Sequence, residues 1–167
     1  MAVRPERGQA APGDGPQLAC PGCGRSLDLR AHADLVCDGQ VWCRGCRHYA
    51  PELESNRELA ELQDWTARLC AAFGQEEVAV LENPAARADW RLYWHDNVCL
   101  LAEAYHHQRA ILLYPPGQRL TTLCHELAHL FTGQDHTPTW AQTFADLIAW
   151  VQGNLSAESS LQTDQPL

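Results

Sequence analysis

The stretch Thr121-Thr122-Leu123-Cys124-His125-Glu126-Leu127-Ala128-His129-Leu130-Phe131 decides how the rest of the chain is interpreted. Its large apolar residues recur at three- and four-residue steps, which predicts a buried helix, and Gly133 follows as a stop signal. Two histidines four positions apart lie on one face of such a helix, so both imidazoles can reach one metal ion. Glu126 is offset from them and is expected to reach a metal-bound water rather than the metal.

This H-E-x-x-H pattern is typical of hydrolytic zinc sites. Zinc lowers the pKa of its bound water, and a carboxylate at this offset can accept the proton. The sequence therefore predicts His125 and His129 as zinc ligands and Glu126 as the general base of a hydrolase. The structural alternative is a buried helix with two hydrogen-bonded histidines and a glutamate that faces solvent.

A catalytic zinc site needs a third protein ligand and one open position. We predict His136 as this ligand, because the helix start at Thr137 and Pro138 lets a short loop return the imidazole to the metal. Asp146 on the next helix is the alternative, since another class of zinc peptidase places an acidic ligand there. Asp135 could instead orient a histidine from the outer shell.

A second set of metal ligands is predicted near the N-terminus. Two C-x-x-C knuckles, Cys20-Pro21-Gly22-Cys23 and Cys43-Arg44-Gly45-Cys46, can close a tetrahedral structural zinc site, as in a zinc ribbon. A hairpin is predicted between them across Asp38-Gly39. Cys37 is interpreted as a spare buried thiol, although it could replace one of the four ligands.

Composition restricts the function classes. The 167 residues carry a formal net charge of −9, which argues against a generally basic nucleic-acid-binding surface. A local basic face remains on the ribbon, formed by Arg25, Arg30, Arg44, Arg47 and His48. The chain has no apolar run long enough for a membrane span, and residues 1–17 lack the apolar core of a secretory signal. We therefore expect a cytoplasmic protein whose cysteines are thiols or metal ligands.

The remaining patterns predict an α+β fold, in which a small antiparallel or mixed sheet packs on helices that include the H-E-x-x-H helix. A capping box at Ser55–Glu58 predicts a helix that Gly74 ends. Strands are expected at 78–81, 89–96, 98–105 and 109–114, followed by a helix over about 118–132 and another from Pro138 to Gly153. We expect four segments: a disordered tail (1–17), the zinc ribbon (18–50), the catalytic domain (51–153) and a second disordered tail (154–167).

The segment from His125 to His129, followed by His136-Thr137-Pro138-Thr139-Trp140, resembles SprT-like zinc metallopeptidases. In that family the helix motif is followed by H-G-P-x-F, whose histidine is the third ligand, so the resemblance also implies His136. Three features differ: Thr137 and Trp140 replace the glycine and phenylalanine of the motif, the loop between His129 and His136 is short, and the ribbon precedes the peptidase domain. The resemblance implies a peptidase that acts on protein or peptide substrates and makes DNA a candidate activator.

Two functions are compatible with these patterns. The first is a zinc metallopeptidase with one catalytic and one structural Zn²⁺, in which the sheet edge near 110–114 binds an extended substrate. The second is a non-proteolytic zinc-binding module that docks on DNA or protein through its ribbon. The presence of Glu126 favours the zinc metallopeptidase, because a purely structural zinc site needs no general base. The candidates for stabilising an oxyanion are Tyr105, His106, His107 and Tyr114.

Overall fold

The computed structural model describes residues 17–83, 94–95 and 98–163. Residues 1–16 and 164–167, which belong to the predicted tails, and most of the strand expected at 89–96 lie outside this part of the chain. The described residues form an α+β fold. Its helices are α1 (Pro51–Glu54), α2 (Leu59–Ala72), α3 (Leu120–Thr132) and α4 (Pro138–Thr163); its strands are β1 (Leu35–Asp38), β2 (Gln40–Cys43), β3 (Ala79–Glu82), β4 (Trp94–His95), β5 (Val98–Cys99), β6 (Ala102–Tyr105) and β7 (Ala110–Leu113).

The main sheet is mixed and has the strand order β3-β7-β6. Strand β7 pairs parallel with β3 and antiparallel with β6, which confirms the hairpin that the strands expected at 98–105 and 109–114 form around residues 106–108. The expectation that β7 forms an open edge is wrong, because it is the central strand. Its apolar composition explains this place: Ala110, Ile111 and Leu113 are buried, as expected for a strand covered on both sides. Strands β1–β2 and β4–β5 form two separate hairpins.

Helix α3 forms the centre of the core. Leu120, Leu123 and Leu127 are completely buried, and Gly133 ends the helix in the left-handed conformation, with φ of 65°. The residues before the helix pass very close to the chain leading into β6. A Cβ atom on Gly117 would lie 1.9 Å from the carbonyl oxygen of Leu101, so only glycine permits this approach. The contact places β6 beside the H-E-x-x-H helix.

The predicted capping box before α2 is wrong. Pro51 instead begins the short helix α1, and the Ser55 hydroxyl donates a hydrogen bond back to the carbonyl oxygen of Glu52 at 3.0 Å. Helix α2 then starts at Leu59 without a side-chain cap. The helix itself is confirmed, as is its end near Gly74, which has a φ of 62°.

The predicted helix end at Gly153 is also wrong. Helix α4 continues to Thr163, so the expected tail is helical in its first part. Two contacts accompany the extension: Leu155 packs against the core cluster, and Arg68 of α2 forms an ion pair with Glu158 at 3.0 Å. Tertiary contacts of this kind outweigh the cost of about 1 kcal/mol for glycine inside a helix. Among the described helices, none is both long and apolar enough to cross a bilayer.

A Gly153→Ala variant tests the uninterrupted helix. An added Cβ would meet no atom within 4 Å, so alanine should raise the free energy of unfolding by about 0.5–1 kcal/mol through helix propensity. Denaturant unfolding monitored by circular dichroism measures this change. A helix that ended at Gly153 in a left-handed conformation would give the opposite sign, because alanine would then be strained.

The ribbon shares its core with the rest of the protein. Leu35, Cys37 and Val41 belong to the same cluster of buried residues as Leu147 and Ile148 of α4. The Gly39 amide at the hairpin turn donates a hydrogen bond to the carbonyl oxygen of Ala145 at 2.9 Å. The sequence divides the chain into a ribbon and a catalytic domain, whereas the folded protein joins them through one continuous core.

Candidate metal centres

The two cysteine knuckles converge on one point. The Sγ atoms of Cys20, Cys23, Cys43 and Cys46 all lie within 4.8 Å of one another, so they could hold a metal ion such as zinc. The Cys23 and Cys43 sulfurs are 3.8 Å apart. The hairpin β1–β2 delivers Cys43 at the end of β2, and a tight turn delivers Cys20 and Cys23. The arrangement has the ligand type and number of a closed structural zinc site.

The electrostatics of the cluster favour a cation. The backbone amide of Cys43 donates to the Cys20 sulfur at 3.4 Å, and such hydrogen bonds lower the pKa of the Cys20 thiol to about 6. Hydrogen bonds with the neighbouring Cys43, Cys23 and Cys20 thiols raise the pKa of Cys46 to about 12.

Cys37 is not part of the cluster. It lies fully buried in the core, where desolvation raises its pKa to about 12, as the interpretation as a spare thiol requires.

A second cluster consists of imidazoles. His125 and His129 lie one turn apart on α3, and their Nε2 atoms are 3.2 Å apart. His136, from the loop between α3 and α4, places its Nε2 at 3.4 Å from the Nε2 of His125. The structure therefore brings together the three histidines that the sequence singles out.

Hydrogen bonding determines which nitrogen of His129 faces the cluster. Its Nδ1 lies 2.8 Å from the carbonyl oxygen of Gln134, to which it can only donate, so its Nε2 presents a lone pair to His125. The single ring proton that His125 can place on Nε2 cannot make good hydrogen bonds to both His129 and His136. A cation among the three nitrogens resolves this conflict, and a backbone carbonyl behind a ligand histidine is a common outer-shell partner. The residues therefore fit a bound metal ion.

His136 adopts a strained backbone conformation to reach this position. Its φ of 36° lies in the left-handed region, which residues with a Cβ rarely adopt. The carboxylate of Asp135 lies 3.3 Å from its Nδ1, as expected for an orienting partner. Asp146 is exposed on α4 and accepts a hydrogen bond from Gln142 at 2.8 Å. The geometry thus favours His136 over Asp146 as the third candidate ligand.

Trp140 supports the whole imidazole cluster. Its fully buried ring stacks on His129, with ring centres 5.2 Å apart, and meets the rings of His125 and His136 edge-on at 4.9 and 4.5 Å. The Thr137 hydroxyl accepts a hydrogen bond from the Trp140 amide at 3.2 Å, which confirms Thr137 as the N-cap of α4. The start of α4 therefore orients the three imidazoles.

Glu126 lies beside the imidazole cluster without joining it. Its Oε1 is 4.0 Å from the Nε2 of His125, and only 13% of the side chain is exposed. Burial, together with the charge of Glu103 on β6, raises the pKa of Glu126 to about 7; a cation bound by the imidazoles would lower it again. Two cavities meet at this carboxylate: one of about 260 Å³ beside His106 and Asp135, and one of about 420 Å³ beside Arg44 and Leu101.

Two residues at this site have no signal in the sequence. Glu103 accepts a hydrogen bond from the Tyr114 hydroxyl at 2.8 Å and from the Tyr105 hydroxyl at 3.1 Å, which engages both of these oxyanion candidates. His32 of the ribbon stacks on His136, with ring centres 4.2 Å apart. As a result, two overlapping sets of donor atoms each fit within 4.8 Å: His32, His125 and His136, and His129, Asp135 and His136.

Comparison with known proteins found no matching family model, no matching curated protein and no matching solved structure. The resemblance to SprT-like metallopeptidases therefore stays a prediction, based on the residues from His125 to Trp140. Fold and site together define an α+β protein with a four-cysteine cluster and a separate imidazole cluster next to a buried carboxylate.

Proposed function

We propose that this protein is a zinc-dependent metallopeptidase, with Zn²⁺ held by His125, His129 and His136 and a structural Zn²⁺ held by the four cysteines. One observation carries the proposal: imidazole nitrogens meet beside a buried carboxylate that belongs to neither of the two histidine donor sets. A closed structural site needs no such carboxylate. Zinc in this position supplies a Lewis acid that acidifies water and polarises a carbonyl group.

Two residues beside the imidazoles have separate roles in the proposed peptide hydrolysis. Glu126 accepts the proton of the attacking water and returns it to the leaving amine, which is general acid–base catalysis. His106 lines the same cavity as Glu126 and His129, so it is the candidate that faces the reacting carbonyl oxygen. His107, the other histidine of this turn, does not line this cavity.

The substrate is a peptide in extended conformation. Among the described strands, β6 is an outer strand of the main sheet, and it packs against the H-E-x-x-H helix. A peptide that adds to this edge through main-chain hydrogen bonds passes alongside Glu126. This assignment replaces the expected edge at β7.

The alternative, a module that docks on DNA through the ribbon, finds less support. Arg47 pairs with Asp38 at 2.9 Å and lies 5.2 Å from the ring centre of Trp42. Arg44 donates to the carbonyl oxygen of Ala33 and lines the larger cavity near Glu126. Both arginines thus have structural roles within the ribbon.

Metal content per chain tests the proposal directly. The purified full-length protein should contain two zinc ions and degrade an unfolded protein such as reduced casein. A His125→Ala/His129→Ala variant should retain one zinc ion and lose hydrolysis, because only the cysteine site remains. Asp146→Ala is the matched control and should retain both ions.

One zinc ion in both the wild type and the double variant would remove the histidine site from the proposal. Two zinc ions without hydrolysis of unfolded proteins would reject the peptidase and favour the binding module. Elemental analysis and gel-based degradation assays on the same preparations distinguish these results.

A further inference from the structure

The ribbon reaches into the imidazole cluster through His32. This residue begins a short 3₁₀ turn, His32–Asp34, immediately before β1. Its donor atom lies within 4.8 Å of those of His125 and His136. His32 also lines the larger cavity next to Glu126, together with Ala33 and Arg44 of the ribbon. The ribbon therefore forms one wall of the candidate active site.

Around His125, the spacing of the rings is that of ligands around one ion, and the described donor set that contains His32 joins it to His125 and His136 and not to His129. Imidazoles bound to a single tetrahedral zinc, with Zn–N distances of about 2.0–2.1 Å, have ring centres about 5 Å apart. The ring centre of His125 lies 5.0 Å from that of His129, 5.4 Å from that of His136 and 5.1 Å from that of His32. His32 is thus as well placed relative to His125 as the two other histidines. Its stacked contact with His136, at 4.2 Å, needs a small rotation to reach the same spacing.

The turn that carries His32 is tied to the cysteine cluster. The Arg44 amide donates to the carbonyl oxygen of Asp34 at 3.0 Å, and the Arg44 guanidinium donates to that of Ala33. Arg44 directly follows Cys43, a member of the cluster, and Cys43 pairs with Leu35 across the hairpin. The position of His32 therefore depends on the part of the ribbon that the cysteines organise.

We propose that His32 is a fourth protein ligand of the histidine-bound metal and closes the position that a hydrolytic site must leave open. This inference rests on the proposed function and adds its regulation: the conformation described here is self-inhibited, and the basal hydrolysis of the wild type comes from molecules in which His32 has left the ion. A peptide gains access only after the 3₁₀ turn moves away and His32 leaves the ion. The exposure of His32 to solvent permits this movement without unpacking the core.

Metal affinity tests the ligand role independently of activity. Zinc affinity of the histidine site is measured on the full-length protein by competition with a chromophoric chelator, with zinc kept at the cysteines. Loss of an outer-shell partner alone typically costs about 10- to 100-fold in affinity, so His32→Ala should cost at least about 10-fold. His48→Ala, which removes another exposed ribbon histidine, is the matched control and should retain the wild-type affinity.

Access to the ion gives a second measurement. Protein that keeps zinc at the cysteines and carries Co²⁺ at the histidines should have a visible spectrum that azide does not change, because four imidazoles leave no open position. Azide should change the spectrum of His32→Ala, in which that position is free. His32→Ala should also hydrolyse an unfolded protein several-fold faster than the wild type.

Unchanged zinc affinity in His32→Ala, together with an equal azide response in both proteins, would overturn the inference and leave His32 as a stacking neighbour of His136. This result would not affect the proposed function. Conversely, the expected affinities and spectra without hydrolysis by either protein would support the His32 ligand and reject the peptidase. The two proposals can therefore fail separately.

Discussion

Glu126→Gln should abolish peptide hydrolysis while leaving the fold and the zinc content unchanged. The amide has nearly the same shape but cannot accept a proton from water, and loss of a general base typically costs about 10²- to 10⁴-fold in rate. The Glu126 carboxylate belongs to neither of the histidine donor sets, so its replacement should remove no ligand. Burial penalises the ionised form of Glu126, and a neutral amide should therefore be at least as stable in this position.

Three measurements on one preparation check this prediction: degradation of an unfolded protein, zinc per chain, and thermal unfolding. Glu52→Gln, the same substitution at an exposed position of α1, controls for the change itself and should retain wild-type activity. Full activity in Glu126→Gln would show that Glu126 is not the base. Loss of zinc together with activity would show that Glu126 acts as a ligand, contrary to the geometry.

Loss of the cysteine-bound metal should unfold the whole protein rather than the ribbon alone. Cys23 is exposed, and exposed substitutions usually change stability by no more than about 0.5 kcal/mol. Cys23→Ser should nevertheless lower the free energy of unfolding by more than about 4 kcal/mol, a size typical of a lost metal site. Because Leu35, Cys37 and Val41 share one core with α4, collapse of the ribbon exposes the apolar face of that helix.

The matched control is Cys70→Ala, since Cys70 is buried in α2 but lies outside the cysteine cluster. It should cost about 1 kcal/mol, the usual size for one core substitution. In a Trp42→Phe background the ribbon (18–50) has no tryptophan, so the fluorescence of Trp65, Trp140 and Trp150 reports whether the rest of the core unfolds with it. A Cys23→Ser cost below that of Cys70→Ala would argue against a structural metal. Unchanged tryptophan fluorescence after ribbon unfolding would show that the ribbon and the catalytic domain unfold as two independent units.

Local patterns were sufficient for the elements that carry the candidate chemistry. The helix around His125 and His129, its end at Gly133, the start of α4 at Thr137 and the convergence of the cysteine knuckles all agree with the sequence. The first three depend on interactions within a few residues: helical periodicity, a left-handed glycine and a capping hydroxyl. Short-range interactions of this kind can be recognised from the sequence alone. Within each knuckle a tight turn brings two thiols together, whereas the β1–β2 hairpin brings Cys43 to Cys23, 20 positions away.

Contacts between residues that are distant in the sequence could not be predicted from these local patterns. Strand β7 is central because β3 pairs with it from a distant part of the chain, and α4 passes Gly153 because Leu155 packs on the core and Glu158 pairs with Arg68 of α2. His32 is an isolated histidine in the sequence, and only packing of the ribbon on α4 carries it to His136. Local propensities differ by about 1 kcal/mol or less per residue, so tertiary contacts of similar size can override them. The candidate ligand types, the carboxylate beside them and the third candidate histidine were thus predictable from the sequence, whereas the approach of His32 to the imidazole cluster depends on the folded core.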